Sequence, residues 1–408
     1  MNPTSGAVVD YGFDHVDPAR LRAGHSLKWL KHDPDVLPAW IADMDFALAP
    51  PIRAVLDEFN ACGVHGYLDH RITDVFLETF CERTNRQFGV DFQPSRVKLC
   101  TDIVQALYAA VFAFTAPSDA VLLLTPLYPP FAASVSLNGR RIVDHRMKPD
   151  AAGVWRFDPE ELRAQIIAER PRIFMLCSPH NPVGRLWERA ELECLAALAV
   201  EFDMLVIADE IHADLVLSAN AMIAFSSLRN DVAERTVTIT SANKAFNLAG
   251  LKVAQICFGD DSLLERFELA LPGKLLGAVP SVGLLASTAA YRSGQPWLDA
   301  VCTYIRGNVH AFAEAMARRV PSVRVVSPEA TYLSWLDFSE VPGVLLAYGS
   351  GAVSVGERML REGRVAFNEG QTFGDGLEAF SRVNLATSQS IVLQIVDRVS
   401  EWVDAQSG

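Results

Sequence analysis

The sequence predicts an α/β protein: a large domain with a mostly parallel sheet flanked by helices, and a smaller α+β domain. Three observations carry this. The chain has 408 residues, too many for one small core, and half of them are hydrophobic, enough for a sizeable interior. From about residue 95 to 260, short apolar runs alternate with helical patterns. Those runs are unbroken Val, Ile and Leu rather than alternating, as expected for strands covered on both faces.

The expected strands are Ala120–Leu124, Arg141–Val143, Ile173–Cys177, Met204–Ala208, Val237–Thr240 and Val253–Phe258. Helical patterns fall at Ile103–Thr115, Pro159–Glu169 and Glu188–Phe202. From about residue 295 a second unit is expected. It comprises a long helix Trp297–Arg319, a strand pair Val323–Val326 and Tyr332–Leu336, a strand-like run Ser381–Asn384 and a closing helix Ile391–Ala405. The N-terminal segment is expected to pack with it, so residues 1–48 and 295–408 form the small domain and 49–294 the large one.

Charge and cysteine usage narrow the function classes. A net charge of −13 argues against nucleic acid or an anionic membrane as partner. The longest apolar stretch, Ala106–Phe114, is too short to span a bilayer. Residues 1–23 carry Asp10, Asp14, Asp17 and Arg20 with no apolar core, unlike a signal peptide. The seven cysteines are scattered, odd in number and never spaced CxxC, which favours free thiols in a reducing cytoplasm.

The chemistry-bearing residues cluster just after the expected strands, where ligands bind in parallel sheets. Lys244 follows the β-branched run Thr236–Thr240; partial desolvation there favours its neutral amine, which can react with an aldehyde. Asp209 follows the run Met204–Ala208. In an apolar surround it needs a cationic partner such as a protonated pyridine nitrogen, or it simply caps a helix. His212 could reach the same ligand or be a satisfied loop histidine. Asn181 lies in Ser178–Arg185, a loop stiffened by two prolines and a glycine, which can aim its amide into a site or be an ordinary turn. Thr101 and Asp102 precede a helix start, a ready anion site through its free N–H groups, with Asp102 as the cap. Tyr128, between prolines, can stack on a flat heteroaromatic ring or pack within its loop. Arg382 can grip a carboxylate with two parallel hydrogen bonds or lie at the surface.

Together these segments, in this order, resemble the pyridoxal-phosphate enzymes of the aspartate-aminotransferase fold, and within them the MalY/PatB-type cystathionine β-lyases and C–S lyases. The likeness runs from about Leu27 to the C-terminus. Five stretches carry it: Leu37–Phe46, Cys177–Arg185, Asp209–Leu215, Lys244–Lys252 and Thr331–Asp337.

The resemblance implies pyridoxal 5′-phosphate as cofactor and assigns roles. Lys244 would bind it covalently and then move the substrate α-proton. Asp209 would pair with its pyridinium nitrogen, Asn181 and His212 would face its 3-oxygen, and Tyr128 would stack on the ring. Ile103, Val104, Ser241 and Lys252 would hold the phosphate. Tyr67 would reach the phosphate of a neighbouring subunit in a homodimer, and Arg382 would bind the α-carboxylate of an amino-acid substrate. The implied reaction is α,β-elimination of L-cystathionine or a related S-substituted cysteine, with amino transfer to a 2-oxo acid as the alternative. Some members of the lyase branch also bind a transcription factor, but no surface patch of that kind is legible here. Trp40, Tyr332 and Gly273–Gly277 are candidates for the substrate pocket. Two positions depart from the family pattern: Asn243 before the lysine, where many relatives have a small residue, and Asp102 in the phosphate loop.

Overall fold

The computed structural model describes residues 9–67, 69–151, 153–271, 275–344 and 353–406. Its centre is a seven-stranded sheet in the spatial order Val97–Cys100, Ala254–Phe258, Thr236–Thr240, Leu205–Asp209, Ile173–Cys177, Ala120–Thr125, Arg141–Arg146. Ala254–Phe258 runs antiparallel to both neighbours, and every other pairing is parallel. All six expected strands are present. Val97–Cys100 was not expected: Lys98 interrupts its apolar run, as an edge strand with half-exposed positions allows.

Strand alternation explains the two-sided core. Val121, Leu123, Ile173, Met175 and Ile207 point to one face, where helix Ile103–Phe114 covers them. Leu122, Leu124, Phe174, Leu176 and Val206 point to the other, under helices Pro159–Glu169 and Arg189–Glu201. The helix starts are fixed by side chains. Asp102 accepts from the Gln105 N–H at 2.8 Å. Asp158 accepts from Glu160 and Glu161, and Glu188 with Glu191 forms a capping box.

A second sheet has four antiparallel strands in the order Arg324–Val326, Leu333–Asp337, Phe380–Asn384, Asn368–Glu369. Helices Gln295–Arg319 and Gln389–Gln406 pack together beside it. The N-terminal segment pairs with these elements. Leu37–Pro38 pairs with Val365–Ala366, and the Asn384 N–H donates to the Ala39 carbonyl at 2.9 Å. Helices Pro50–Cys62, His70–Phe88 and Ser281–Ser293 were not anticipated. The first two both pack on the third, and on them the apolar stripe is diluted by charged residues.

Candidate active site

The parallel strands end on one edge of the large sheet, and their loops bring distant residues together. Asp209 is the last residue of its strand. Asn181 follows Cys177, Tyr128 follows Thr125, and Lys244 follows Thr240. Ile103 and Val104 open the helix after Cys100, while Lys252 lies just before the antiparallel strand that begins at this edge. Arg382 arrives from the four-stranded sheet. These eight residues and His212 line a cavity of about 350 Å³. A larger opening of about 690 Å³, bordered by Asp17, Arg20, Arg53 and Asp57, contains none of them. We place the chemistry in the smaller one, where buried reactive groups converge.

Two expected residues do not line the cavity. Ser241 is buried, its hydroxyl donating to the Val253 carbonyl at 2.6 Å and accepting from the Asn243 N–H at 3.0 Å. That places it as a support of the turn carrying Lys244. Tyr67 is fully exposed. Trp40 lines the cavity, whereas Tyr332 lies behind it, its ring edge-on to His212 at 6.3 Å. Of the suggested segment Gly273–Gly277, Gly273 and Lys274 fall outside the described residues.

Burial sets the electrostatics. It pushes the Lys244 amine down to about 8; Asp43 and Asp209 raise it, and Arg382 and Lys252 lower it. The amine is therefore neutral in a useful fraction near neutral pH. Lys244 Nζ donates to the Ala42 carbonyl at 2.6 Å. Burial lifts Asp209 to about 7, against the Ile211 N–H, which donates to it at 3.1 Å, and the Lys244 charge. His212 falls to about 3 by burial and by the charges of Lys244 and Arg382, so its imidazole is neutral. Arg382 is lowered to about 10 by burial and stays charged at neutral pH. Its Nη1 donates to Asn181 Oδ1 at 2.9 Å, and its Nη2 donates to the Trp40 carbonyl at 3.1 Å and to Asn368 Oδ1.

Ala42 and Asn368 are the contacts that sequence reasoning missed. Ala42 acts through its carbonyl, which no side-chain pattern reports, although it lies within the Leu37–Phe46 stretch. Asn368 gave no signal, because its strand is only two residues long.

The residues present fit a phosphorylated pyridine aldehyde. Asp209 is a buried carboxylate that a ring N–H⁺ would keep ionised. His212 Nδ1 is buried with no partner, an unsatisfied group beside the cavity. The first N–H groups of helix Ile103–Phe114 and the Lys252 ammonium supply an anion site. Lys252 contacts Asp102 at 3.2 Å, so a bound phosphate would share or displace that pairing. Asp102 thus serves as the helix cap and as the lysine's partner.

This fold and site define an enzyme dependent on pyridoxal 5′-phosphate. Residues 43–399 match the aminotransferase class I and II family, and the chain belongs to it. Its relatives narrow the branch. It is 35% identical over 370 residues to cystathionine β-lyase PatB of Bacillus subtilis (strain 168), covering 89% of this chain and 92% of that protein. It is 31% identical to protein MalY of Escherichia coli (strain K12), covering 87% and 88%. The structure of cystalysin from Treponema denticola, which contains pyridoxal 5′-phosphate, aligns with a TM-score of 0.88 at 27% identity, over 97% of this chain and all of that one.

Proposed function

We propose that the chain is a pyridoxal-phosphate-dependent C–S β-lyase that converts L-cystathionine or related S-substituted cysteines to pyruvate, ammonia and a thiol. Its likeness to PatB and MalY supports the reaction class. The observation that carries the chemistry is the Lys244 amine: buried in the cavity, lowered to about 8, and flanked by Asp209 and Arg382. When bound, the cofactor delocalises the electron pair left on the substrate's Cα.

The residues divide the remaining work. Arg382, steadied by Asn181 and Asn368, binds the substrate α-carboxylate and fixes its orientation. Lys244, as the free amine, takes the Cα proton. The Cβ–S bond then breaks, sulfur leaves with the bonding pair and is protonated, and water converts the remaining 2-aminoacrylate to pyruvate and ammonia. Asp209 would hold the cofactor through its ring nitrogen and favour the protonated ring. Tyr128, which lines the cavity, would pack on the bound cofactor and exclude water from it. Burial raises the Tyr128 hydroxyl, so it stays protonated and can only donate or share its proton.

We further propose a homodimer, in which Tyr67 would reach the partner's site, and the two-domain division at residues 48/49 and 294/295. Among the described residues no helix is long and apolar enough to cross a membrane. The free state of all seven cysteines supports a cytoplasmic setting.

The test is turnover of L-cystathionine by purified holoenzyme with no 2-oxo acid added. Release of pyruvate and free thiol is expected. Strict dependence on an added 2-oxo acid would overturn the lyase reading in favour of amino transfer.

A further inference from the structure

Four consecutive carbonyls, three of them from residues that line the cavity, accept hydrogen bonds from residues of the site and its supports. The Trp40 carbonyl accepts from Arg382 Nη2 at 3.1 Å. The Ile41 and Asp43 carbonyls both accept from Asn384 Nδ2, each at 2.7 Å. The Ala42 carbonyl between them accepts from Lys244 Nζ at 2.6 Å. Asn384 is 1% exposed, and its Oδ1 accepts from the Ala386 N–H at 2.7 Å, which leaves the carboxamide one orientation. It lies two residues after Arg382 on the same strand, so both side chains point to the same face.

We propose that Asn384 is a positioning residue for Lys244: by clamping the Ile41 and Asp43 carbonyls it turns the Ala42 carbonyl, and the Asp43 carboxylate, toward the reactive amine. One strand thereby fixes both the group that grips the substrate carboxylate and, through residues 40–43, the group that moves the α-proton. The inference rests on Lys244 being that reactive amine.

The surroundings support the clamp. The segment is held from behind by Lys28, whose Nζ reaches the Asp43 carbonyl at 3.3 Å while pairing with Asp45 at 2.8 Å. The Asp45 carboxylate also accepts from Trp29 Nε1 at 2.7 Å, so the main partner of Lys28 is Asp45 rather than the Asp43 carboxylate. The charged and titratable groups around Asp43 are Lys244, Lys28, Asp45 and Tyr332. After burial, Lys244 is the strongest influence on Asp43, and Asp43 is the strongest on Lys244. Loss of the clamp should therefore move the amine to a lower pKa, because a carbonyl acceptor and a nearby carboxylate both favour its protonated form.

The test uses Asn384→Ala and Asn384→Leu, which both remove the two donated bonds, Leu nearly preserving side-chain volume and neither adding a charge that would itself raise Lys244. Two readouts are required. In steady state, kcat for L-cystathionine should fall about 10- to 100-fold, the scale of a displaced reacting group, with KM little changed because Arg382 is intact. In the cofactor-free enzyme, the pH midpoint for acylation of Lys244, followed by mass spectrometry, should move to lower pH. A general structural defect would lower the melting temperature without selecting that lysine. An unchanged midpoint, or a loss confined to KM, would overturn the proposal. If neither variant yields folded holoenzyme, Asp43→Asn decides, since it keeps every backbone contact. The Lys244 midpoint should fall, and an unmoved midpoint would overturn the proposal. Failure of the underlying reading is distinguishable: Lys244→Ala would then retain the visible absorbance of covalently held cofactor, whereas the Asn384 variants are expected to keep that absorbance whether or not the clamp matters.

Discussion

Asn181 Oδ1 accepts a hydrogen bond from Arg382 Nη1 at 2.9 Å, joining residues 201 apart in sequence. The bond connects the loop after strand Ile173–Cys177 to the four-stranded sheet, so substrate recognition and the strand-end loops share one geometry. Because Asn368 and the Trp40 carbonyl take the Nη2 protons, the guanidinium plane is fixed before any substrate arrives. Only Nε remains buried and without a partner.

Arg382→Lys should therefore fail despite retaining charge. An ammonium has neither the planar fork nor the five donors needed to keep the Asn181 and Asn368 contacts while binding a carboxylate. A charge-assisted hydrogen bond is worth about 1.5–3 kcal/mol, so KM should rise roughly 10- to 100-fold, with a smaller fall in kcat. A KM within twofold of the wild type would place the carboxylate elsewhere.

Asp209→Asn separates charge from shape. The amide oxygen still accepts from the Ile211 N–H, which meets Asp209 at 3.1 Å, but the neutral group no longer holds a positive charge on the ring nitrogen. Loss of one preorganised electrostatic partner commonly slows a reaction about 100- to 1,000-fold, and kcat should fall by that order. Cofactor binding, measured by absorbance titration, should persist through Lys244. Near-normal turnover would remove Asp209 from the chemistry.

How much of this was legible in the sequence depended on whether a residue acts through its side chain. Lys244, Asp209, Asn181, Tyr128 and Arg382 sit at ends of strand-like runs or within one, and hydrophobic runs mark strands strongly. The structure gathers all five around one cavity. The resemblance assigned Ser241 to the phosphate, and in the structure its hydroxyl donates to the Val253 carbonyl. That competition between strands cannot be seen in one dimension. Val97–Cys100 was invisible because an edge strand needs less apolar surface, and the antiparallel direction of Ala254–Phe258 depends on a connection, not on composition.

Gly184 is a place where one methyl group should reach the site. Its φ is +70°, and an added Cβ would lie 2.9 Å from Pro328 Cα and 3.0 Å from the Leu333 carbonyl oxygen. The residue closes the Ser178–Arg185 loop, its N–H donating to the His180 carbonyl at 2.7 Å. Overpacking costs about 1–3 kcal/mol, and the left-handed backbone adds roughly 1–2 kcal/mol for a residue with a Cβ. Gly184→Ala should lower the unfolding midpoint in denaturant. It should also raise KM, because Asn181 in the same loop orients Arg382. A stable variant with normal KM would show that the loop does not transmit to the arginine.

Four buried groups give the cofactor-free protein a distinctive pH dependence. Burial raises Asp209 to about 7 and Glu210 to about 8, and it lowers His180 to about 4 and His212 to about 3. Between roughly pH 4.5 and 6.5 the folded acids hold protons that the unfolded chain has lost, and the unfolded histidines hold protons that the folded chain has lost. The two slopes oppose and nearly cancel. From about pH 6.5 to 8 the unfolded histidines have released their protons while the folded acids still retain part of theirs. The folded state then binds more protons, so stability should fall as pH rises through this window. Toward pH 8 the lowered Lys244 amine acts in the opposite sense, since the unfolded lysine stays protonated up to 10.5, and the decline should level off. Glu210→Gln isolates the largest contributor. Glu210 Oε1 accepts from the Phe225 N–H at 2.8 Å, a bond the amide oxygen can keep. Denaturant melts of the cofactor-free variant should show a shallower loss between pH 6.5 and 8 than the wild type. Parallel profiles for the two proteins would mean that Glu210 ionises at its ordinary value in the fold.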